Sequence, residues 1–316
     1  MRMQAASPQF SVVIPVYNSA RIVAMVIEQT AAFFRQHDLR YEIILVNDGS
    51  RDQSWSVIAA EAARQPHVVA INLLRNYGQH NAVFCGLAHC RGDYVITIDD
   101  DLQNPPSEII HLIECMQTGG HDVVFGRFRH KRHSLTRRLG SGLIRLINER
   151  VFLCPKTIVP SNMRLMRRDV VERMLGYHTA YPYTTGLALM FAHSIGNAWV
   201  EHKDRHEGQS NYNLVRILSL VLRILFNYSI WPLRLVTMTG FIISFLSFFV
   251  GLVLVVRKLL DNILIEGWTG IMVMLAILNG LIILMLGMLG EYTVRILQQM
   301  NSKETYHIKD IVTHDA

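Results

Sequence analysis

The sequence is poor in charged residues. Asp, Glu, Lys and Arg make up 18% of the 316 residues, whereas half of the chain is apolar. A soluble protein usually carries about 25% charged residues, so the shortage predicts that part of the chain lies in lipid. Acidic residues are the scarcer kind, which leaves a formal net charge of +6. This excess favours anionic partners such as phosphates, nucleotides, nucleic acid or lipid headgroups, and composition alone does not choose among them.

Cysteine is scarce as well. Its four positions form no C-x-x-C pair and no zinc-type spacing with histidine, and the 14 histidines include no H-E-x-x-H pair. The segment Met1–Gln9 is too short and too polar for a signal peptide. We therefore expect reduced cysteines and a cytoplasmic location for the first two thirds of the chain.

Short apolar runs alternate with helix-compatible segments in the N-terminal part of the chain. The runs of strand length are Phe10–Val16, Tyr41–Val46, Val68–Leu73 and Tyr94–Ile98, and the helical segments include Ala20–Gln36 and Ser54–Arg64. Apolar strands joined by helices predict an α/β fold, a Rossmann-like and mostly parallel sheet with helices on both faces. Ligands bind beyond the carboxyl ends of such strands, so the loops that follow the strands form the candidate site.

Two apolar runs near the C-terminus, at about residues 233–256 and 268–290, are each long enough to cross a bilayer core of about 30 Å. The segment between them is short, which predicts a hairpin, and the flanking basic residues place both of its ends in the cytoplasm. A buried helical hairpin in a soluble protein is the alternative. Tyr212–Trp231, with Arg216 and Arg223 on one helical face, predicts an interfacial helix, or else a core helix with two exposed arginines.

The predicted organisation has four parts. Residues 1–210 form a cytoplasmic α/β domain, 211–231 a juxtamembrane interfacial helix, 232–292 the two transmembrane helices, and 293–316 a cytoplasmic tail. Small residues in the second run, at Gly280, Gly287 and Gly290, allow close packing of helices, which is compatible with a homo-oligomer.

The strongest chemical motif is IDDDLQNPP, Ile98–Pro106, directly after a predicted strand. Three consecutive carboxylates repel one another unless a cation binds them. In extended geometry Asp99 and Asp101 point the same way and Gln103 continues the alternation, so these oxygens could share Mg²⁺ or Mn²⁺ with the phosphates of a nucleotide. A solvated acidic turn that caps the next helix is the alternative.

Polar or glycine-containing loops follow the other strands. Asp48 can accept a hydrogen bond from a base or ribose, and Gly49 permits a tight turn, although a plain turn with a helix cap has the same pattern. Tyr17 can stack on a base and Arg75 can pair with phosphate. His80 is the histidine that we expect nearest to a ligand.

Together these loops resemble the inverting glycosyltransferases of family 2, which have the GT-A fold. Within that family the chain is similar to the polyprenyl-phosphate branch, which includes dolichol-phosphate mannose synthases and bacterial undecaprenyl-phosphate enzymes. The resemblance runs from about Phe10 to the C-terminal tail and includes the paired apolar runs. The motifs that carry it are SVVIPVYN, VNDGSRD, RNYGQH, DDDLQNPP, RLMRRDVV, EGQSNY, WPLR and LGEYTVRI.

The resemblance implies roles for individual residues. Asp99 and Asp101 match the metal-binding D-x-D motif of the family, with Gln103 also near the metal. The acid that matches Asp48 contacts uracil in the family, and the tyrosine that matches Tyr17 stacks nearby. The nucleotide-binding set implied in this way is Pro15, Tyr17, Asn18, Asp48, Arg75, Gly78, Asp99 and Asp100.

A basic segment, Gly126–Arg138, is the candidate acceptor site. By analogy with the family, Arg127, Arg137 and Ser141 would hold the lipid phosphate, with Arg205 joining them. A solvated or lipid-facing basic loop is the alternative. Nucleic acid is disfavoured, because few aromatic residues interleave the cations. The implied catalytic set is Asp101, Arg127, Arg137 and Asn162.

Two positions depart from the family pattern. Asn162 stands where relatives often carry an aspartate that is a candidate general base, and Asn211 stands where they usually carry lysine. A phosphate monoester has a second pKa of about 6 and is largely dianionic at neutral pH. We therefore expect positioning and charge neutralisation to dominate, with no indispensable base.

The resemblance thus implies transfer of a sugar from a nucleotide donor, with uridine as the base by analogy, to undecaprenyl phosphate with inversion. The protein would be a multi-pass protein of a bacterial inner membrane, with its catalytic domain in the cytoplasm and membrane lipids around its helices. The product would be a lipid-linked monosaccharide for envelope glycan or lipid modification. One alternative is a processive polysaccharide synthase, although its Q-x-x-R-W motif and further spans are missing. Another is a non-catalytic nucleotide-binding membrane protein.

Overall fold

A computed structural model of the chain describes residues 7–128, 135–177, 179, 181–201, 214–229, 231–261, 268–301 and 305–314. It divides into two compact units. One comprises Met1–Leu222 together with Glu304–Ala316, and the other comprises Arg223–Lys303.

The first unit contains a sheet and its surrounding helices. Its described strands are β1 (Phe10–Val16), β2 (Tyr41–Asn47), β3 (Val68–Leu73), β4 (Tyr94–Thr97), β5 (Val123–Phe128), β6 (Arg164–Arg167), β7 (Ile195–Val200) and β8 (Ile308–Val312). Its described helices are α1 (Val23–Gln36), α2 (Ser54–Arg64), α3 (Gln79–Ala88), α4 (Ile109–Gly119), α5 (Leu135–Val151), α6 (Arg168–Leu175) and α7 (Thr184–Phe191). Helix α8 (Leu214–Tyr228) crosses the boundary between the two units.

The sheet has the order β7-β5-β6-β4-β1-β2-β3-β8. Strands β4, β1, β2 and β3 are parallel to one another, as the apolar runs predicted. The sheet as a whole is mixed, because β6 runs antiparallel to β4 and β5, and β8 runs antiparallel to β3. The predicted α/β core is therefore confirmed, with antiparallel strands towards both sides of its parallel centre.

Both faces of the parallel centre are covered by helices. Val12 and Ile14 of β1 belong to a buried apolar cluster with Val26 and Ile27 of α1. Successive residues of a strand point to opposite faces, and on the other face α3 lies against β1. A Cβ at Gly86 of α3 would lie 2.4 Å from Cγ1 of Val13, so the close approach of this helix requires glycine.

The segment 293–316, predicted as a tail, contributes a strand that the sequence did not indicate. Within it, β8 pairs with β3, so that Ala70 lies opposite Val312. The Leu74 N–H donates to the carbonyl of His307 at 2.9 Å, and the side-chain amide of Asn72 donates to Asp310 at 3.2 Å. These bonds extend the sheet beyond β3 and join the chain end to the loop that follows β3.

The second unit contains two long helices, α9 (Trp231–Asp261) of 31 residues and α10 (Trp268–Asn301) of 34 residues. The predicted runs at 233–256 and 268–290 lie inside them. The rings of Phe226 and Tyr292 meet edge to face with centroids 6.2 Å apart. Among the described residues, no helix combines the length and the hydropathy that a membrane crossing requires.

Candidate active site

The parallel strands bring their carboxyl ends to one edge of the sheet, and the side chain of Asp48 joins two loops there. The carboxylate of Asp48 accepts the N–H groups of Tyr77 at 2.7 Å and of Gly78 at 2.9 Å. Asp48 is only 3% exposed. Burial raises the pKa of its carboxyl, and the two amide bonds oppose that rise. Asp48 therefore joins its own loop to the loop after β3.

Glycine is required at two points of this junction. Gly49 has a φ of +63° and Gly78 a φ of +91°, a region that residues with a Cβ rarely adopt. A Cβ at Gly49 would also lie 2.4 Å from the backbone nitrogen of Asn76. The two loops can approach only because no side chain stands between them.

The loop after β1 contacts both the Asp48 loop and the acidic loop. The Asn18 N–H donates to the Ser50 hydroxyl at 3.0 Å. The Tyr17 N–H donates to Asp100 at 3.0 Å, and the Ser19 hydroxyl also donates to Asp100. The Tyr17 side chain itself is 46% exposed. Asp100 thus positions the β1 loop, while the ring of Tyr17 lies open for stacking, and Pro15 is buried at the strand end.

The three consecutive carboxylates lie in a turn. The extended geometry predicted from Asp99 to Gln103 is wrong, because β4 ends at Thr97 and Leu102 has a φ of +56°. The Gln103 N–H donates to Asp101 at 3.1 Å, which is typical of a turn that an aspartate stabilises. The alternation of side chains along a strand therefore does not determine where Asp101 and Gln103 point.

Asp99 is in an unfavourable electrostatic environment. Burial, and then the charges of Asp101 and Asp100, raise the pKa of Asp99 to about 6. The side-chain amide of Gln79 donates to it at 2.6 Å, and that of Asn162 lies 3.4 Å from both of its oxygens. Within the described ranges, no group of three or more His, Cys, Asp or Glu side chains is arranged to hold a metal ion. The carboxylates themselves are hard oxygen donors that a divalent cation would relieve of repulsion.

A small pocket opens beside Asp99. Its polar lining comes from α3, β4, β6, α7 and the loops next to β4 and β6, and consists of Gln79, His80, Thr97, Asp99, Asn162, Arg164 and Thr184. The sequence singled out His80, which lies 3.0 Å from the Thr184 hydroxyl and touches the ring of Tyr183. Burial, and then the charge of Arg164, lower the pKa of His80 to about 4, so this imidazole is neutral at pH 7.

Arg164 is a residue of this pocket that sequence reasoning missed. It is 1% exposed, and its guanidinium donates to the hydroxyls of Thr185 at 3.0 Å and Thr184 at 2.8 Å. Burial lowers its pKa to about 10, which leaves it charged at neutral pH. In the sequence, the available signal was that Arg164 is a cation inside the otherwise apolar segment Met163–Met166. The structure shows that its neighbours Met163 and Leu165 are buried.

The predicted acceptor residues are only partly described. Arg127 lies at the end of β5, where its guanidinium stacks 4.4 Å from the ring of Trp199. Arg137 and Ser141 belong to α5, but their side chains lie outside the described part, and Arg205 lies outside it altogether. Arg75 is exposed, with its guanidinium 5.1 Å from the ring of Tyr77. The structure therefore brings together the nucleotide-binding and acidic residues, whereas the phosphate-binding set stays a prediction.

Comparison with known proteins decides the family. The model of glycosyl transferase family 2 matches residues 11–175, the part of the chain that carries every described loop of the site. The chain belongs to glycosyl transferase family 2. This confirms the resemblance inferred from the sequence motifs.

The similar family 2 proteins cover nearly the whole chain. An undecaprenyl-phosphate 4-deoxy-4-formamido-L-arabinose transferase of Shewanella sediminis is 35% identical over 309 residues, 97% of this chain and 93% of the relative. One of the same name from Pseudomonas fluorescens SBW25 is 36% identical, over 96% of this chain and 89% of the relative. The similarity to undecaprenyl-phosphate enzymes is thus confirmed as well.

Among solved structures, glucosyl-3-phosphoglycerate synthase from Mycobacterium tuberculosis, in complex with Mn²⁺ and UDP-glucose, has the same fold. It aligns with a TM-score of 0.52 at 18% identity and covers 69% of this chain and 77% of its own. At this identity the likeness establishes the fold of the family 2 domain, a GT-A-like mixed sheet.

Proposed function

We propose that this protein transfers a sugar from a UDP-linked donor to undecaprenyl phosphate with inversion at the anomeric carbon. The observation that carries the proposal is the meeting of three features at one sheet edge: the exposed ring of Tyr17, the loop held by Asp48, and the turn Asp99–Asp101. Relatives named as undecaprenyl-phosphate sugar transferases cover almost the full chain at 35% identity, which supports this acceptor.

The nucleotide would lie over the Tyr17 and Asp48 loops. The Tyr17 ring offers a stacking surface, and the exposed Arg75 offers a cation for phosphate. Because the Asp48 oxygens already accept two amides, we propose that Asp48 acts mainly by positioning the 75–78 loop. A direct contact of Asp48 with uracil, as the family resemblance implies, stays a prediction.

A divalent cation fits the chemistry of the acidic turn. Asp99 and Asp101 would hold Mg²⁺ or Mn²⁺, with Gln103 nearby, since the raised pKa of Asp99 reflects burial and repulsion that a cation would offset. When bound, the ion would neutralise the diphosphate that leaves with the nucleotide. The fold relative was solved with Mn²⁺ and UDP-glucose, which supports both the ion and the nucleotide.

The acceptor itself supplies the nucleophile. One phosphate oxygen of undecaprenyl phosphate would form a bond to the anomeric carbon as the bond from that carbon to the diphosphate breaks. Asn162 lies 3.4 Å from Asp99 and is not ionisable, so it would orient the turn instead of removing a proton. A largely dianionic phosphate needs no base. Arg127, with Arg137, Ser141 and Arg205, would hold that phosphate.

Helices α9 and α10 would anchor the protein in the inner membrane as a hairpin, with the family 2 domain in the cytoplasm. This proposal rests on the sequence, because no helix of the described residues meets the criteria for a span. The run from Leu235 to Val256 contains no charged residue, and neither does Trp268–Gly290. Alkaline carbonate washing of membranes tests it: the protein should stay in the pellet, and release into the supernatant would rule out the anchor.

The transfer assay that tests the proposed function uses purified full-length protein in detergent with undecaprenyl phosphate, Mn²⁺ or Mg²⁺, and labelled UDP-sugars. The panel includes UDP-4-deoxy-4-formamido-L-arabinose, the sugar in the names of the relatives. We expect one donor to label the lipid and Asp101→Ala to abolish the labelling. The matched control is Asp93→Ala, an exposed aspartate before β4.

The alternatives give different results in the same assay. A processive synthase would produce a polymer instead of a single labelled lipid. A folded protein that binds UDP yet labels no lipid with any donor would be a nucleotide-binding protein without transferase activity, which would overturn the proposal.

A further inference from the structure

The chain segment that leads into β8 is bound to the loop that carries Arg75. The Leu74 N–H, at the start of this loop, donates to the carbonyl of His307 at 2.9 Å. The residue before His307 is fixed as well, because the side chain of Tyr306 hydrogen-bonds to the thiol of Cys85, which is fully buried in α3. The segment is therefore attached both to the 75–78 loop and to the helix that follows this loop.

His307 also contacts the 75–78 loop with its side chain. The imidazole meets the Tyr77 ring edge to face, with centroids 6.4 Å apart, a separation typical of attractive aromatic pairs. The guanidinium of Arg75 lies over the face of the same Tyr77 ring, with its Cζ 5.1 Å from the ring centroid. His307 and Arg75 are thus connected through one tyrosine ring.

Protection of the sheet edge explains β8 but not this contact. Without β8, strand β3 would be an open edge able to pair with other chains, and backbone hydrogen bonds alone are enough to cover it. The His307 side chain takes no part in that backbone pairing. It is also exposed, so it adds little apolar burial to the fold. The contact of His307 with Tyr77 therefore calls for a role beyond stability of the sheet.

Such a role follows from the state of Arg75. Its side chain is exposed, and an exposed arginine loses rotamer freedom when it is fixed against a ligand, which weakens binding. Stacking on an aromatic face removes part of that freedom in advance. The stacking requires a ring that is itself held in place. Tyr77 is held by its backbone N–H, which donates to Asp48, and by the ring of His307.

We propose that His307 is a positioning residue for the donor: through the Tyr77 ring it holds the Arg75 guanidinium where the diphosphate of the UDP-linked sugar binds. The inference rests on the proposed function and deepens it, because it adds a residue from the C-terminal segment to the donor site. Arg75 alone touches the phosphate, and Tyr77 and His307 act through it.

Calorimetric titration of the full-length protein in detergent with Mn²⁺ tests the proposal. His307→Ala should weaken the binding of UDP about 2- to 10-fold, the range for the cation–π contact that it supports. The affinity for uridine, which lacks phosphate, should stay at the wild-type value. His307→Phe keeps an aromatic ring and should restore the affinity for UDP. The matched control is His193→Ala, which removes an exposed histidine before β7 and should change neither affinity.

A double-mutant cycle separates positioning from a general structural role. Arg75→Met should weaken UDP binding about 10- to 100-fold, as loss of a hydrogen bond to a charged group does. Adding His307→Ala to Arg75→Met should cause no further loss, because His307 acts through Arg75. If His307→Ala does not fold, Tyr77→Leu takes its place in the cycle, since it removes the ring that connects the two residues.

The outcomes distinguish this inference from the proposed function. Wild-type affinity of His307→Ala for UDP, an equal loss for uridine, or additive losses in the cycle would overturn the positioning role. Normal lipid labelling in the same preparation would then leave the transferase proposal standing. Non-additive losses of UDP affinity without labelled lipid in any assay would support the positioning role and refute the transferase.

Discussion

Two aspartates stand at the same sheet edge, one after β2 and one after β4, with β1 between them. Asp48 accepts two backbone amides and holds two loops together. Asp99 accepts one short bond from Gln79 and faces the charges of Asp101 and Asp100. Asp48 thus stabilises the fold, whereas Asp99, at an equivalent strand end, adds electrostatic repulsion. Such a cost is expected where a ligand is to bind.

The largest expected effect is at Asp99. Asp99→Asn should lower the transfer rate about 100- to 1,000-fold, as loss of one electrostatic contribution to a transition state does. In the absence of metal at pH 8 it should raise the thermal midpoint by about 2 °C or more, because it removes a half-buried charge that Asp101 and Asp100 repel. The assays are lipid labelling and thermal unfolding.

Asp93→Asn, at an exposed position before the same strand, is the control and should change neither quantity. A lower midpoint for Asp99→Asn would show that Asp99, like Asp48, stabilises the fold, and the contrast between the two aspartates would disappear.

Asp48→Ala should have the opposite effect on stability. It leaves the N–H groups of Tyr77 and Gly78 without their acceptor and should lower the free energy of unfolding by about 2–4 kcal/mol. Urea denaturation measures this, and titration with UDP should show weaker binding because the 75–78 loop loosens. Asp48→Asn keeps one acceptor oxygen and should lose about half as much stability.

Full stability of Asp48→Ala together with lost UDP binding would contradict the positioning role. It would assign Asp48 to direct contact with the base, as the family resemblance implies.

Much of the sheet could be predicted from the sequence because burial on both faces leaves a simple signature. The apolar runs at Phe10–Val16 and Val68–Leu73 match β1 and β3 to the residue. Strand β8 was missed, because Ile308–Val312 is short, contains two charged residues and is mostly exposed. Only the pairing with β3, more than 200 residues away in sequence, makes it a strand.

The site was predictable in its residues but not in its geometry. The triplet Asp99–Asp101 was correctly seen as mutually repelling, yet its extended form was wrong because the left-handed Leu102 turns the chain. Arg164 was missed because its importance depends on Thr184 and Thr185, about 20 residues further along. Pairwise contacts of this kind leave no periodic pattern in a single sequence.

Asn162→Asp sharpens the comparison by adding a carboxylate 3.4 Å from Asp99. The added repulsion should lower the free energy of unfolding by about 1 kcal/mol without metal, since the pair is partly solvated. Mn²⁺ should then stabilise the variant more than the wild type. Thermal midpoints with and without Mn²⁺ measure both effects. Gln36→Glu, at the exposed C-terminal end of α1, is the control for an added carboxylate; an equal gain from Mn²⁺ in both variants would place the ion elsewhere.

The last prediction concerns His80 and is a dependence on pH. The folded pKa of about 4 lies below the ordinary 6.5, so the neutral imidazole contributes stability above pH 6.5 that is lost as the pH falls towards 4.

Relative to His80→Gln, the free energy of unfolding of the wild type should fall by about 1–2 kcal/mol between pH 7 and pH 5. Urea denaturation at the two pH values measures this difference. The control is His193→Gln, which removes an exposed histidine. The charge that acts on His80 is that of Arg164, and the rings of Tyr181 and Tyr183 contact the imidazole. All three groups remain in the variant, so their own titration largely cancels in the comparison. Parallel curves for wild type and His80→Gln would mean that His80 is solvated and would contradict the lowered pKa that burial and Arg164 give it.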